Sequence, residues 1–191
     1  MSKANDPNRD NAPLGKKIED LYDLIEGIEI AMFTTRRPDG HLVSRAMATQ
    51  TQAEGTDLWF VTDIESHKLD ELGFDPNVNL SYYRDRTREW VSVSGTAMVS
   101  QDRMAIHDLY QADWKAWFGD EGGERNGGPD DPRLALILVE VHSVSYLKVD
   151  KPKPLVLFEL VKGMVTGTPP NIGKQREVTG GEVKALGREV K

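Results

Sequence analysis

The chain has 191 residues, 38% of them hydrophobic, and carries 31 acidic against 24 basic side chains, a formal net charge of −7. This length and apolar content are sufficient for one globular domain with its own core, and the negative charge argues against nucleic acid or an anionic membrane surface as a partner. Cysteine is absent, which excludes disulfides, thiolate nucleophiles and cysteine-ligated metals, and the 4 histidines lack metal-ligand spacing, so we expect no metal site.

The two ends of the chain are polar. The N-terminal residues include Pro7 and Pro13, which predicts a flexible segment over residues 1–14. Neither an apolar signal peptide nor a membrane-spanning stretch is recognisable, so a cytoplasmic location is the default expectation. We expect a single domain over residues 15–165 and a polar, flexible tail over residues 166–191.

The first elements are predicted to be a helix and a β-hairpin. Apolar residues recur at helical spacing over residues 16–26, with Gly27 as the expected C′ residue. Strands are expected at residues 28–35 and 42–51. The Arg-Pro-Asp-Gly sequence at residues 37–40 favours a turn between them, because proline fixes φ and glycine accepts positive φ.

Short strands and helices alternate through the middle of the chain. Strands are predicted at residues 58–62, 78–83 and 90–99, which are rich in β-branched and aromatic residues. Ser66 is expected to cap one short helix and Asp102 another.

The last predicted elements are a long loop, two strands and a helix. Residues 119–132 are dense in glycine, aspartate and proline and predict a loop, followed by an antiparallel strand pair at residues 134–142 and 144–149. A short amphipathic helix is expected beyond Pro154. Short strands joined mostly by hairpins, with few helices, favour a mainly β fold, a closed antiparallel barrel with peripheral α-helices.

Two segments carry the residue types that hold a phosphate. Each places cationic and hydroxyl side chains beside a strand-like apolar stretch, along which a planar ring could lie. They are Ser44-Arg45-Ala46-Met47-Ala48-Thr49-Gln50 and Trp59-Phe60-Val61-Thr62-Asp63-Ile64-Glu65-Ser66-His67-Lys68. The sequence therefore indicates a phosphorylated, planar cofactor.

The same segments carry a family resemblance. Residues 28–97 resemble the flavin-binding split-barrel superfamily of the pyridoxamine 5′-phosphate oxidases, and residues 15–165 resemble its general stress protein branch. The further matching motifs are Asn77-Val78-Asn79-Leu80-Ser81-Tyr82, Trp90-Val91-Ser92-Val93-Ser94-Gly95-Thr96-Ala97, Trp114, Trp117-Phe118 and Asp130-Asp131-Pro132-Arg133-Leu134. The resemblance implies an antiparallel split β-barrel that binds FMN between two identical subunits.

In that family an arginine on the second hairpin strand and a basic residue beside the short helix hold the FMN phosphate, and Arg45 and Lys68 match these two roles. Ser66 fits as well, since a hydroxyl and free N–H groups at a helix start favour a phosphate. By the same resemblance the isoalloxazine ring would lie alongside Arg45, Ala46, Met47, Ala48, Thr49 and Gln50 of one strand and Val61 and Thr62 of its neighbour.

Some positions depart from the oxidase pattern. His67 stands where the oxidases usually carry a second arginine, and a neutral imidazole could still donate one hydrogen bond. Trp90 takes the place of a ring-contacting glutamine, so stacking would replace hydrogen bonding there. Trp114 and Trp117 could share a helix face, and either core or dimer packing or contact with the flavin would account for them.

The resemblance implies an FMN-dependent oxidoreductase that uses a reduced nicotinamide or another small donor, with the redox chemistry supplied by the flavin. Vitamin B6 oxidation is not expected, because the closing Arg-x-His motif of true oxidases is absent. Three alternatives stay open: a non-catalytic protein that stores or senses flavin, a barrel that has lost its cofactor, and a relative that binds deazaflavin. FAD is disfavoured because no Gly-x-Gly-x-x-Gly turn opens a helix.

A homodimer is also expected on physical grounds. A small barrel leaves a ring-shaped cofactor half exposed unless a second subunit covers it, and a two-fold interface would create two equivalent sites.

Overall fold

The computed structural model describes residues 12–51, 57–150, 153–167, 171 and 173–187. Most of the predicted N-terminal segment (residues 1–11) and the end of the predicted tail (residues 188–191) lie outside the described residues. The elements in chain order are α1 (Leu14–Ile28), β1 (Ile30–Arg36), β2 (Leu42–Ala48), β3 (Leu58–Asp63), α2 (His67–Phe74), β4 (Asn77–Arg84), β5 (Glu89–Ser100), α3 (Arg103–Leu109), a short 3-10 turn (Ala112–Trp114), α4 (Lys115–Phe118), β6 (Leu134–Lys148), α5 (Lys153–Thr166), β7 (Lys174–Thr179) and α6 (Gly180–Gly187).

The strands form one antiparallel sheet in the order β2-β1-β4-β5-β6-β3, with β7 paired to the second half of β6. The sheet curls until its two ends meet, because the N–H of Gln50, just beyond β2, donates to the carbonyl of Trp59 on β3 at 3.1 Å. The fold is an antiparallel split β-barrel with peripheral helices, which confirms the predicted fold class.

Apolar side chains fill the inside of the barrel and a smaller space beside it. In the main core the rings of Phe33 and Phe60 meet edge to face with centroids 5.2 Å apart, and α1 packs on this core through Leu24. A second cluster includes Trp59 and Trp114, from β3 and the 3-10 turn before α4. Burying each such side chain contributes roughly 1.5–3 kcal/mol, so these two clusters hold the barrel and its flanking helices together.

Several local predictions are confirmed. The strands β1 and β2 pair from Ile30 opposite Ala48 to Arg36 opposite Leu42, as expected for the hairpin. The Asp102 carboxylate caps α3 by accepting hydrogen bonds from two N–H groups of its first turn. These features depend on neighbouring residues, which is why the sequence reveals them.

The end of α1 differs from the prediction. Gly27 lies within the helix, and the chain leaves the helix at Glu29, whose φ is 67°. A Cβ at position 27 would meet the guanidinium of Arg84, the flexible end of a long side chain, which would have to shift.

The antiparallel pair predicted at residues 134–142 and 144–149 is wrong, because these residues form one continuous strand, β6. A β-bulge lies near the middle of β6. There the register with β5 shifts between Ser94 and Gly95 and leaves His142 as an extra residue. One edge of β6 pairs with β5, while the other pairs first with β3 and then with β7.

The flexible tail expected over residues 166–191 is wrong for residues 174–187, which form β7 and α6. The sequence of β7 is polar, yet the strand buries Arg176 and Val178. Arg176 forms an ion pair with Asp20 of α1, so a charged side chain occupies an inward position that a hydrophobic pattern does not predict.

Helix α5 is unusual in leaving large apolar side chains exposed in the single chain. These are Leu155, Phe158, Val161, Met164 and Val165. Among the described residues, no helix has both the length and the hydropathy needed to cross a membrane.

Candidate cofactor site

Arg45 lies on the face of β2 that turns towards the barrel, the same face as the core-packed Met47. Its Nη1 donates to the hydroxyl of Thr35 at 2.7 Å, and its Nη2 donates to the carboxylate of Glu71 at 2.7 Å. Within the described part of the chain these are its only protein acceptors, so three of the five guanidinium N–H groups have none. The side chain remains 26% exposed, which leaves those donors accessible to a ligand.

The carboxylate of Glu71 lies behind Arg45 and is 5% exposed. It accepts a hydrogen bond from the Thr35 hydroxyl at 2.5 Å and a longer one from Arg37 Nε at 3.4 Å, in addition to that from Arg45. Burial alone would raise the pKa of Glu71, but the hydrogen bonds from Thr35 and Arg45 outweigh it and hold this pKa below its usual value. Arg45 therefore has a fixed, ionised counter-ion at neutral pH.

Lys68, in the first turn of α2, is the second cation of the site. Its Nζ donates to the Thr62 hydroxyl at 2.7 Å and to the Ser66 hydroxyl at 2.8 Å. Thr62 is buried near the end of β3, where the preceding Val61 is half-buried. Burial lowers the pKa of Lys68, and the neighbouring Arg45 guanidinium lowers it further. Two positive charges thus lie close together, in a place where an anion would be stabilised.

Ser66 is the N-cap residue of α2, as predicted, but its side chain makes no capping hydrogen bond to the described helix. Its hydroxyl instead accepts the hydrogen bond from Lys68. The first N–H groups of α2 follow directly, and a helix start leaves such groups without intrahelical acceptors and with partial positive charge. Ser66 therefore belongs to the same polar cluster as Lys68, although for a different reason.

The outer part of β2 is open. Ala46 and Ala48 are exposed, with side chains too small to cover the strand. Among the described strands β2 pairs along residues 42–48 only with β1, so the backbone groups on its other edge have no strand partner. An extended polar edge beside the two cations is thus available to a flat ligand.

Thr49 and Gln50 hold the end of β2 in place through contacts within the protein. The Thr49 hydroxyl and the Tyr82 hydroxyl are 2.8 Å apart, and Gln50 Oε1 accepts a hydrogen bond from the indole of Trp114 at 3.0 Å. Burial raises the pKa of Tyr82, which keeps this phenol neutral. Both predicted residues lie at the site but have side-chain partners of their own.

Comparison with known proteins places this arrangement in a family. Residues 16–171 match the family model described as pyridoxamine 5′-phosphate oxidase like. The chain belongs to the pyridoxamine 5′-phosphate oxidase-like family. This confirms the resemblance that the motifs indicated.

One curated protein and several solved structures are similar to this chain. Protein bli-3 of Neurospora crassa is 39% identical over 176 residues, which cover 91% of this chain and 84% of that protein. A protein of Clostridium acetobutylicum related to general stress protein 26 superposes with a TM-score of 0.63 at 15% identity, covering 88% of this chain and 97% of its own. A pyridoxamine 5′-phosphate oxidase-related, FMN binding protein of Nostoc punctiforme has a TM-score of 0.57 at 21% identity, covering 72% and 84%. These two structures show a shared fold.

The donor set of this oxidase-like chain fits a phosphate. Arg45 and Lys68 both retain N–H groups that donate to no described protein acceptor, and the hydroxyls of Thr62 and Ser66 lie beside them. Three cations, Arg37, Arg45 and Lys68, stand against two carboxylates, Glu71 and Asp63, so the cluster stays positive. Charge-assisted hydrogen bonds from such groups are the strongest that proteins offer to a phosphate oxygen.

Three predicted site residues are not brought to this cluster within one chain. The His67 side chain is 98% exposed, and its nearest charged partner is Asp70 at 3.8 Å. Trp90 lies on β5, which β1 and β4 separate from β2, a distance of roughly 14 Å at ordinary strand spacing. Trp117, on α4, is 84% exposed.

The sequence analysis missed Thr35 and Glu71. Glu71 follows Lys68 by three positions on the predicted helix, so the two share a helix face. Thr35 follows the inward-facing Phe33 by two positions on β1 and lies on the same side of the strand. Both signals were present, but each is common on amphipathic elements and does not by itself indicate a site.

Proposed function

We propose that this chain binds FMN, with the phosphate held by Arg45, Lys68 and Ser66 and the isoalloxazine ring along the open edge of β2. The observation that supports this most is the pair of half-buried cations, which keep N–H donors without an acceptor among the described residues, beside the hydroxyls of Thr62 and Ser66. FMN, which the Nostoc relative is described as binding, has one phosphate and one planar ring and matches a site with one anion-binding cluster. A single cluster does not offer separate sites for the two phosphates of a dinucleotide.

FMN supplies hydride or one-electron chemistry when it is bound. The residues of this chain would bind and orient it: Arg45 and Lys68 anchor the phosphate, while the unpaired backbone of β2 provides hydrogen-bonding groups for the polar rim of the ring. Ala46 and Ala48 leave room for the ring at that edge, and Val61 lies on the neighbouring strand end. The proposed activity is that of a flavin-dependent oxidoreductase with a small donor, distinct from vitamin B6 oxidation.

We propose that a second copy of the chain completes the site. On the outer face of the sheet, Ile30, Met32 and Tyr83 are between 44% and 53% exposed, and Tyr83 pairs with the half-exposed Trp90. The apolar face of α5 is exposed as well. Exposed apolar surfaces of this kind are typical of protein interfaces. In the proposed two-fold dimer these surfaces are buried, and Trp90 and Trp117, which lie away from the Arg45–Lys68 cluster of their own chain, are the residues we propose to contact the flavin of the other subunit.

The first experiment is to incubate the purified protein with FMN, desalt it and record its visible spectrum. The wild type is expected to retain about one flavin per chain, and Arg45→Ala is expected to lose it, because charge-assisted phosphate bonds are removed. Arg36→Ala is the matched control, since Arg36 is on the same hairpin but pairs only loosely with Asp75, at 3.9 Å. A colourless wild type, or an Arg45→Ala variant that keeps its flavin, would overturn the proposed site.

The oxidoreductase activity needs a separate measurement. With dissolved dioxygen as the acceptor that reoxidises the flavin, the FMN-loaded protein is expected to oxidise NADH or NADPH repeatedly and faster than the same concentration of free FMN. Flavin that is retained without any acceleration would reject the enzymatic part and favour flavin storage or sensing. Light scattering over a dilution series tests the dimer, and a monomer that keeps its flavin would contradict the shared site.

A further inference from the structure

Glu71 is the one buried anion in the described cation cluster, and the FMN phosphate is not expected to contact it. We propose that Glu71 is a positioning residue, which holds the Arg45 guanidinium in the orientation that selects for the phosphate of FMN. The inference rests on the FMN site proposed above and concerns how that site distinguishes FMN from riboflavin.

Three hydrogen bonds fix the guanidinium on its protein side. Arg45 Nη2 donates to Glu71 Oε2 at 2.7 Å, Arg45 Nη1 donates to Thr35 Oγ1 at 2.7 Å, and Thr35 Oγ1 donates to the same Glu71 oxygen at 2.5 Å. This closed triangle sets both the position and the plane of the guanidinium before any ligand arrives. An arginine without such support must be ordered when the ligand binds, which weakens binding.

The charge of Glu71 alone does not explain its position. A carboxylate behind Arg45 offsets part of the attraction for an anionic ligand, so its presence would weaken phosphate binding if orientation contributed nothing. The arrangement on α2 supports an orienting role, because Lys68 and Glu71 are three positions apart on one helix face. One helix thus presents a cation to the ligand and an anion to Arg45.

The chain contains a matched control for Glu71. Glu89 is 4% exposed and also accepts hydrogen bonds from an arginine and a threonine, from Arg84 at 3.0 Å and from Thr87 at 2.7 Å. It lies at the turn between β4 and β5, away from Arg45. Replacing Glu89 therefore tests the loss of a similar buried carboxylate without touching the Arg45–Lys68 phosphate cluster.

The experiment measures the dissociation constants of FMN and riboflavin by flavin fluorescence, together with the melting temperature of each variant. Glu71→Gln is expected to weaken FMN binding about tenfold, leave riboflavin binding unchanged and so reduce the preference for FMN. Glu89→Gln is expected to lower the melting temperature with the preference unchanged. An unchanged preference in Glu71→Gln, or tighter FMN binding, would overturn the inference.

A double-mutant cycle tests whether Glu71 acts through Arg45. In an Arg45→Ala background, adding Glu71→Gln is expected to cause no further loss of FMN preference, and a further loss would overturn the inference that Glu71 acts through Arg45. Should Glu71→Gln not fold, Thr35→Val removes the hydroxyl that joins the two residues and is expected to reduce the preference in the same direction. A wild type without any preference for FMN over riboflavin would overturn the FMN site itself, and this inference with it.

Discussion

Arg45 and Arg133 both form ion pairs with buried carboxylates, but they use their donors differently. Arg133 is 3% exposed, and all five of its N–H groups are bonded within the protein, to Asp131, to Glu121 and to two backbone carbonyls at the end of α4 and the start of the loop before β6. Arg45 is 26% exposed and has two protein acceptors among the described residues, one of them on Glu71. The saturated arginine holds a loop in place, whereas the unsaturated one remains able to bind a ligand.

The carboxylates that pair with these two arginines also differ in which parts of the chain they connect. Asp131 accepts hydrogen bonds from the Gly127 N–H and from both the backbone and side chain of Arg133, all within a seven-residue stretch. Glu71 instead joins α2 to β1 and β2. The Asp131–Arg133 pair therefore closes a loop, whereas the Glu71–Arg45 pair connects distant elements and positions the site between them.

The largest effect is expected for Asp131→Asn. Asp131 is fully buried, and its replacement leaves Arg133 with only the half-exposed Glu121 as a counter-ion, so we expect the free energy of unfolding to fall by about 3 kcal/mol. The FMN bound per folded chain should not change. Urea unfolding and flavin stoichiometry measure the two quantities. A variant that keeps its stability but loses flavin would show that Arg133 belongs to the binding site and would break the comparison.

The loss of stability at low pH is a second test of the Asp131–Arg133 pair. The hydrogen bonds from Arg133 hold the pKa of Asp131 well below its ordinary value of 3.8. Because the folded-state pKa is lowered, the stabilisation is complete above the unfolded pKa and is lost as the pH falls below 3.8 towards the folded pKa. Asp131→Asn should therefore lose less stability than the wild type over that acid range.

Lys68→Met is expected to have a smaller effect, which weakens FMN binding and leaves stability unchanged. Loss of a charge-assisted hydrogen bond of about 2 kcal/mol should weaken FMN binding roughly thirtyfold and leave riboflavin binding unchanged. Stability should not fall, because burial disfavours the charged ammonium that the substitution removes. Fluorescence titration and thermal unfolding test both statements. Equal losses for the two ligands would mean that Lys68 supports the fold and does not recognise the phosphate.

The sequence allows the barrel and the two cations to be predicted because their signals are local. Arg45 and Lys68 stand beside a hairpin and a helix start, each defined by neighbouring residues. The pairing of Glu71 with Thr35 depends on how α2 packs against β1, and that of Arg176 with Asp20 joins residues far apart in the chain. Such contacts arise only in the folded chain, so β7 and the support of Arg45 were not predicted.

The pH dependence of the preference for FMN over riboflavin tests whether the charge of Lys68 attracts the phosphate. Its pKa is lowered from 10.5 by burial and by Arg45, so the ammonium should lose its proton, and the phosphate its attraction, at a pH below 10.5. The ratio of riboflavin to FMN dissociation constants should therefore fall, by up to about tenfold, as the pH rises through that lowered pKa. Ionisation of the ring is common to both ligands and cancels in this ratio. Lys68→Arg, which stays charged, should show a flat profile, and a falling profile in that variant would assign the titration to another group.

The smallest effect is expected for His67→Ala. His67 occupies the position at which the oxidases usually carry a second basic residue, yet its side chain is 98% exposed and donates no hydrogen bond to the described Arg45–Lys68 cluster. A fully solvated side chain contributes little to anion binding, so the preference for FMN should change by less than about twofold. The same fluorescence titration decides this, with Ser66→Ala as the variant that alters the adjacent contact to Lys68 at 2.8 Å. A loss in His67→Ala as large as that in Lys68→Met would mean that the imidazole turns into the site when FMN binds. The recognition of phosphate would then depend on exposed groups as well as on the half-buried cations.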